Sequence, residues 1–433
     1  MSFRKVGRGL DRRAFLQRAG AVAAVGAALP LLGSAPSALA AADDPDQLFR
    51  QGRFADAERG YRRLLRDDPG NANAHAGIGY IALLSNRFRT AEGHLSQALA
   101  LAPDDVSSTQ RLAECFVRQD QLSRAVPLMR RTGRPRDEAF AEAYSRIDGT
   151  PWQITGARDT RVPFHTLDPV PSVEARVNGG EPQKFYLDTY GTLDLSTEAA
   201  HTAGLRALAT WEGGVVDGHP VVIHVGVLDS FTIGEIEIRN IPVQWNDTPR
   251  PPLPDGSQAA GVFGTTIFYH FLTTMDYAHR ALLLRRRTVA RPSPDELARL
   301  PLWLAGDHFP CTLGSLGQRE PRMVTVDTGG IASALDTTVA IAERYGLTVD
   351  HAHPRERFGI KFYPITADRI GLGGAVRRNV QGMGAEKVFP GFPGPGQSAQ
   401  FGFDLIANFT HEFFKPYAVS FDYVGMKLSI TRG

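Results

Sequence analysis

Phe185-Tyr186-Leu187-Asp188-Thr189-Tyr190-Gly191-Thr192 and Met323-Val324-Thr325-Val326-Asp327-Thr328-Gly329-Gly330 are the two stretches that decide the fold. Each is an apolar run that closes on Asp-Thr and then meets glycine, the pattern of a strand ending in a tight turn. One such stretch is a weak signal, because an Asp before a turn is common. The text behind the two copies makes them strong. After Asp188 a helix closes on Ala203-Gly204-Leu205, and after Asp327 one closes on Arg344-Tyr345-Gly346-Leu347. Gly264-Thr265-Thr266-Ile267 and Gly402-Phe403-Asp404-Leu405 then stand in apolar blocks, 76 and 75 residues beyond their Asp. Each copy ends in a strand pair, Asp276-Tyr277 with Leu282 and Leu284, and Asp422-Tyr423 with Leu428 and Ile430. Short alternating apolar runs broken by Gly, Pro, Asn and Asp fill the space between, as expected for β-strands joined by tight turns.

The order of strand, Asp-Thr-Gly, helix, hairpin, Gly-x-x-Gly block and Asp-Tyr hairpin resembles the retropepsin-like aspartic proteases. Two copies in tandem resemble the arrangement in which a pepsin-type enzyme builds one site from one chain. The resemblance implies an all-β pair of small closed barrels, lobe 1 over 160–287 and lobe 2 over 300–433, with the Asp-bearing loops meeting between them. It implies Asp188 and Asp327 as the catalytic pair, supported by Thr189, Thr328, Gly191, Gly329 and Thr192, with the two Thr side chains bonded across the interface. A peptide or protein is the implied substrate, and no cofactor or metal is called for.

Such chemistry needs the duplication. Two carboxylates about 3 Å apart cannot both ionise, so they share one proton and titrate as a pair. The ionised member takes a proton from a water, and the protonated member donates to the carbonyl under attack. A lid that excludes bulk water helps. Trp211-Glu212-Gly213-Gly214-Val215-Val216-Asp217-Gly218-His219-Pro220 resembles that flap, with Gly213, Gly214 and Gly218 as its mobile tip; the plainer reading is a surface hairpin. The matching stretch in lobe 2, Arg357-Phe358-Gly359-Ile360-Lys361, is poorer in glycine.

Several positions depart from the family pattern. Tyr190 stands where lobe 1 should have Gly, and its β-carbon would be strained at positive φ. Thr192 replaces the usual Ser, whose hydroxyl can bond the outer carboxylate oxygen, and Ile331 cannot do this in lobe 2. Thr266 stands where Asp is frequent, and Ala399 replaces the first Gly of the second block. Two functional readings therefore stay open. One is an aspartic endopeptidase; the other is a catalytically degenerate peptide-binding or scaffold protein of the same fold, with the Tyr190 ring or a displaced loop where the water belongs.

Ahead of the lobes, residues 44–148 read as an all-α helical repeat. Phe54, Phe88 and Leu122 are spaced by 34, as are Ala57, Ala91 and Ala125, and Pro69 pairs with Pro103. A fixed period of this kind marks a solenoid. The pattern resembles tetratricopeptide repeats, which present a face to a peptide or protein partner; the plainer reading is a cap packed on the lobes. Few features cross from Arg136 to Arg161, so the array is expected to be separable.

Residues 1–40 read as an export signal. Arg4, Lys5, Arg8, Arg12 and Arg13 precede an apolar stretch from Ala19 to Leu32 and the small-residue site Ala38-Leu39-Ala40. Asp11-Arg12-Arg13-Ala14-Phe15-Leu16-Gln17 resembles a twin-arginine signal, which implies a periplasmic or extracellular destination. The apolar run is short of the roughly 20 residues that span a bilayer, so no stable membrane span is expected after cleavage. Removing the segment turns a net charge of +2 into −3 and leaves no basic stripe for nucleic acid. Cys115 and Cys311 fall in different segments and suggest no disulfide framework. His351 and His353, without a nearby Cys, read as a solvated loop and not as metal ligands. Gly371-Leu372-Gly373-Gly374 lacks the Lys-Ser/Thr of a phosphate loop and reads as a turn, paralleling Gly234.

Overall fold

The computed structural model describes residues 44–216, 219–357, 359–389 and 391–433. The export-signal expectation and Gly218 lie outside the described residues.

The helical array consists of α1 (Pro45–Arg50), α2 (Phe54–Asp67), α3 (Ala72–Leu84), α4 (Phe88–Leu101), α5 (Val106–Val117), α6 (Leu122–Arg131) and α7 (Pro135–Ser145). The 34-residue spacing has a direct cause: Phe54, Phe88 and Leu122 each open a helix, and Ala57, Ala91 and Ala125 are fully buried where neighbouring helices approach. Asn71 and Asp105 repeat at the same interval as side-chain caps, accepting from Ala74 N at 2.9 Å and Ser107 N at 3.0 Å. Pro127 lies inside α6, which still runs to Arg131.

The β region repeats one topology twice. In lobe 1 the strands run in the spatial order Ser172–Val177, Gln183–Asp188, Gly261–Gly264, Asp194–Ser196, Ile236–Asn246, His219–Ile233. In lobe 2 the order is Phe309–Leu316, Arg322–Asp327, Ala407–Thr410, Leu335–Thr338, Ala375–Ala385, Ile360–Leu372. The first and last strands pair in both lobes, which closes each sheet into a barrel. Gly234 and Gly373, both at φ +57°, make the corresponding turns and press on Thr160 and Ala298, residues of matching strands.

Those matching strands belong to a six-stranded sheet that joins the lobes. Its order is Glu296–Pro301, Lys427–Arg432, Tyr417–Asp422, Phe271–Asp276, Ala281–Arg286, Asp159–Pro163, with three strands from each lobe. The central pair is antiparallel, and Thr274 and Ser420 share a 2.7 Å hydrogen bond across it. The Asp-Tyr hairpins seen in the sequence are the two middle hairpins of this sheet.

The array shares a core with the lobes. Phe403 packs edge-on against Phe49 and Phe54, with ring centroids 6.0 and 5.2 Å away, and Phe54 also meets Trp303 at 5.3 Å. The buried Arg118 guanidinium donates to Leu83 O at 2.9 Å in the array and to Leu304 O at 2.8 Å in lobe 2. Arg136 pairs with Asp307 at 2.5 Å, and the two strands of the 209–233 hairpin lie against α7. Ala209, Trp211 and Val225 join the same apolar cluster as Leu112 and Phe140. Residues 44–433 form one compact unit, so the array expected to be separable packs in one body with the lobes. The linker is featureless, but the contacts are made by segments far away in sequence. Cys115 and Cys311 are both buried as free thiols in this shared cluster.

Candidate active site

Asp188 ends the strand Gln183–Asp188, and Asp327 ends Arg322–Asp327. Each strand has a parallel neighbour that pairs Asp188 with Gly264 and Asp327 with Thr410. A short helix follows each neighbour, Thr265–Phe268 and His411–Phe414. The lobe 2 counterpart of Gly264 is therefore Thr410, and the expected Gly402 landmark is corrected. Gly402 instead ends the short helix Ser398–Phe401 in the left-handed region, φ +77°, beside the array. Lobe 2 carries a 3₁₀ turn, Gly394–Gln397, and this extra helix ahead of its strand, which displaces the landmark by eight residues.

The two loops are locked together by a symmetrical exchange. Thr189 N–H donates to Thr328 Oγ1 at 2.9 Å, and Thr328 N–H donates to Thr189 Oγ1 at 3.0 Å. The Thr189 hydroxyl continues to Val326 O at 2.7 Å, and the Thr328 hydroxyl to Leu187 O at 3.4 Å. Both threonines are fully buried. Leaving any of these backbone donors unpaired would cost about 1–3 kcal/mol, which is why Thr serves here and Val would not. Each strand also supplies its Asp with a donor from two residues on. Tyr190 N–H reaches Asp188 Oδ1 at 2.7 Å, and Gly329 N–H reaches Asp327 Oδ1 at 2.9 Å.

Within this frame the two buried carboxyl groups act on each other, and their surroundings are unequal. Asp327 is 4% exposed, and its second oxygen accepts from Asn408 Nδ2 at 2.8 Å. Burial raises its pKa, while Asn408 and the Gly329 N–H pull it back. Among the described residues of its own lobe, none gives Asp188 a side-chain donor of that kind. Burial first, and the Asp327 charge second, push it well above the usual carboxylate range. Both carboxyls are thus pushed upward, Asp188 the further of the two, as expected for a pair that titrates together.

The positions at which the chain departs from the family pattern have individual explanations. Tyr190 does not adopt positive φ, so its β-carbon is tolerated. Its ring meets Phe309 edge-on at 4.9 Å, and its hydroxyl donates to Gln397 Oε1 at 2.8 Å while accepting from Gly394 N–H at 3.3 Å. These bonds are made with lobe 2 and not with the carboxyl pair. Gly329, the equivalent residue, cannot be replaced in the same way, because a β-carbon there would collide with the Asp188 carboxyl. Gly264 is required for a similar reason, since its β-carbon would run into the Asp188 carbonyl. Gly191 N–H donates to that carbonyl at 2.8 Å, closing the turn. Thr192 corrects an expectation: its hydroxyl is buried without a hydrogen-bond partner among the described residues, and it does not bond the carboxylate.

The hairpin expected as a flap is formed by Ala209–Val216 and His219–Ile233. Gly213 and Gly214 lie within its first strand, at a register shift between Glu212 and Val215, and not at the tip. Its lobe 2 counterpart, Arg355–Arg357 paired with Ile360–Leu372, is much shorter. His351 and His353 sit in an exposed loop beside Glu343 and Asp350, at 3.1 and 2.8 Å. Sequence reasoning missed Asn408, Gln397, Phe309 and Asp336. Asn408 had a visible signal, a lone amide inside the apolar run Leu405-Ile406-Ala407-Asn408-Phe409, which the displaced landmark obscured.

This geometry defines a two-lobed, pepsin-like arrangement of retropepsin-type barrels behind a helical repeat array. Family models agree on both parts: residues 46–106 match the tetratricopeptide repeat and residues 173–267 match the aspartyl protease family. The chain is thus a tetratricopeptide array joined to a retropepsin-like aspartyl protease fold. The protease match falls within lobe 1, and lobe 2 is placed by its shared topology. No curated protein matches the chain. Among solved structures, an O-GlcNAc transferase mutant from Thermobaculum terrenum is similar over 25% of this chain and 22% of its own, at 20% identity and a TM-score of 0.22. This chain therefore spans about a fifth of the length of that protein. No described helix is long and apolar enough to cross a membrane.

Proposed function

We propose that the chain is an aspartic endopeptidase with one site built from both lobes. The observation that carries this reading is the pair of Asp-Thr loops locked by reciprocal threonine bonds, which buries the Asp188 and Asp327 carboxyls together in unlike surroundings; in the mechanism Asp188 carries the shared proton and Asp327 is ionised. Asp327 takes a proton from a water poised between the two groups. The resulting hydroxide attacks the peptide carbonyl carbon, and Asp188 gives its proton to the carbonyl oxygen. On collapse Asp327 gives the proton it took from water to the leaving nitrogen, Asp188 takes one back from a hydroxyl of the gem-diol, and the C–N bond breaks to release the amine and the carboxylic acid. The long lobe 1 hairpin serves as the lid over an extended peptide.

The array acts first as a structural wall, because it packs on the hairpin strands and on lobe 2, and its remaining surface receives a protein substrate or partner. Export through a twin-arginine-type signal, with cleavage near Ala40, belongs to the same proposal; replacing Arg12 and Arg13 by Lys should then block it. Normal export of that double variant would remove the route. A second reading, peptide binding without hydrolysis, draws on the unpartnered Thr192 hydroxyl and the Tyr190 substitution.

Hydrolysis of an unfolded protein by the mature chain, followed from acid to neutral pH with and without a statine-type peptide inhibitor, separates the two. Bell-shaped cleavage blocked by the inhibitor is expected. Saturable inhibitor binding without cleavage at any pH would establish the binding protein instead.

A further inference from the structure

Asp336 lies one residue into the strand Leu335–Thr338, beside the strand that carries Asn408. The Asn408 amide bridges two carboxyls: Nδ2 donates to Asp327 Oδ2 at 2.8 Å and to Asp336 Oδ2 at 3.4 Å. Its own carbonyl is fixed by the Thr325 hydroxyl, which donates to Oδ1 at 2.8 Å. Asp336 is held in turn by the Ser333 hydroxyl on Oδ1 at 2.8 Å. Asn408 and Thr325 are fully buried and Ser333 and Asp327 nearly so, so the chain Ser333–Asp336–Asn408–Asp327 runs inward to the pair from a half-buried Asp336. Such networks are costly unless each member is satisfied.

Lobe 1 keeps the same positions but breaks the connection. Val262 occupies the place of Asn408 and Tyr186 that of Thr325, as their strand registers show. Asp194, the counterpart of Asp336, is neutralised by Arg250 at 2.7 Å and held by Gln244 and Asn246, each at 3.0 Å. Among the described residues Asp336 has no such cation. Its strand lies opposite Met383 on one side and Asn408 on the other, with the Gly394–Gln397 turn packed nearby, where the Gln397 carbonyl is taken by Tyr190. The charged group that acts on Asp336 is Asp327.

We propose that Asp336 is a positioning residue for the catalytic pair, acting through Asn408 to hold Asp327 in place and to couple a third carboxyl to the shared proton. The inference rests on the peptidase reading. Burial raises Asp336 to about 7, with the Asp327 charge adding to the rise and Ser333 and Asn408 opposing it. Below that range Asp336 is neutral and acts only through its hydrogen bond to the amide. Above it, a carboxylate forms behind Asp327, and its charge favours retention of the proton on the Asp188–Asp327 pair. The alkaline limb of activity is therefore extended by Asp336, while the acidic limb is not affected by it.

The test is a carbon-13 carboxyl NMR titration of the mature chain labelled at Asp, run beside the pH profile of peptide hydrolysis. Asp336→Asn keeps the shape but never ionises. It should lower the upper midpoint of the pair, and the alkaline limb, by about one pH unit, and leave the acidic limb unchanged. Asn408→Leu, which copies the apolar residue of lobe 1, removes a donor from ionised Asp327 and should raise the acidic limb instead. A uniform fall in rate with both midpoints unmoved in the two variants would overturn the proposal and leave Asp336 a packing residue. Midpoints that shift as expected in a chain that cleaves nothing at any pH would uphold the coupling and sink the peptidase reading.

Discussion

Lobe 1 and lobe 2 are the same barrel with different polar interiors. Both place an Asp-Thr loop at the end of one strand, beside a parallel strand and a short helix. In lobe 1 the neighbouring strand is apolar at Val262, and Asp194 is tied up by Arg250. In lobe 2 the same two positions hold Asn408 and a cation-free Asp336. Backbone topology makes two equivalent sites, and a few buried polar side chains then give the two Asp unequal surroundings.

The largest effect that would break this comparison is loss of the array. A chain beginning at Pro151 exposes the faces of Phe403, Trp303 and Met323, which the array now covers. It should be insoluble or lack a cooperative thermal transition, since each large apolar side chain returned to water costs about 1.5–3 kcal/mol. A soluble, two-state truncated chain would restore the separable module.

Exchange of the equivalent residues Gly329 and Tyr190 comes next. Gly329→Ala drives a β-carbon into the Asp188 carboxyl, and should lower kcat by about 100-fold or more, because misplaced catalytic groups are that costly. Tyr190→Phe loses the hydrogen bonds to Gln397 and Gly394, worth about 1 kcal/mol each, and should lower Tm by a few degrees with kcat changed less than about threefold. Equal responses at the two positions would mean that the lobes are not used differently.

A smaller and pH-dependent effect concerns Asp336 again. A carboxyl whose folded pKa lies above its unfolded value holds more protons when folded, so stability falls as pH rises from about 4 through 7. Asp336→Asn removes that loss. Its Tm should match the parent in acid and exceed it at pH above 7, whereas an unchanged difference across pH would place Asp336 outside the coupled group.

Much of this was legible in the sequence. The duplication, both Asp-Thr loops, the 34-residue repeat and the paired hairpins are periodic or repeated text, and they correspond to closed barrels, reciprocal bonds and helix starts. The Gly402 landmark went astray because spacing is blind to an inserted turn, and lobe 2 has one at Gly394–Gln397. The packing of the array on the lobes was not legible because a quiet linker says nothing about contacts such as Arg118 with Leu304, 186 residues apart. Tyr190 looked like damage because the pattern demands Gly; the backbone angle and the lobe 2 partners that accommodate it are tertiary facts. Thr192 looked useful for the opposite reason, since the residue type fitted and the geometry does not.

The central claim is that one chain supplies both halves of one site. It is tested most directly by measuring peptide hydrolysis by Asp188→Asn, by Asp327→Asn, and by an equimolar mixture of the two, at the pH optimum of the parent. Each single variant should fall by at least about 1,000-fold, and the double variant should be little worse than either, as for residues that act as a unit. The mixture should remain as inactive as its components. Near-normal turnover by either variant would contradict the paired mechanism, and recovery on mixing would place the working site between two chains.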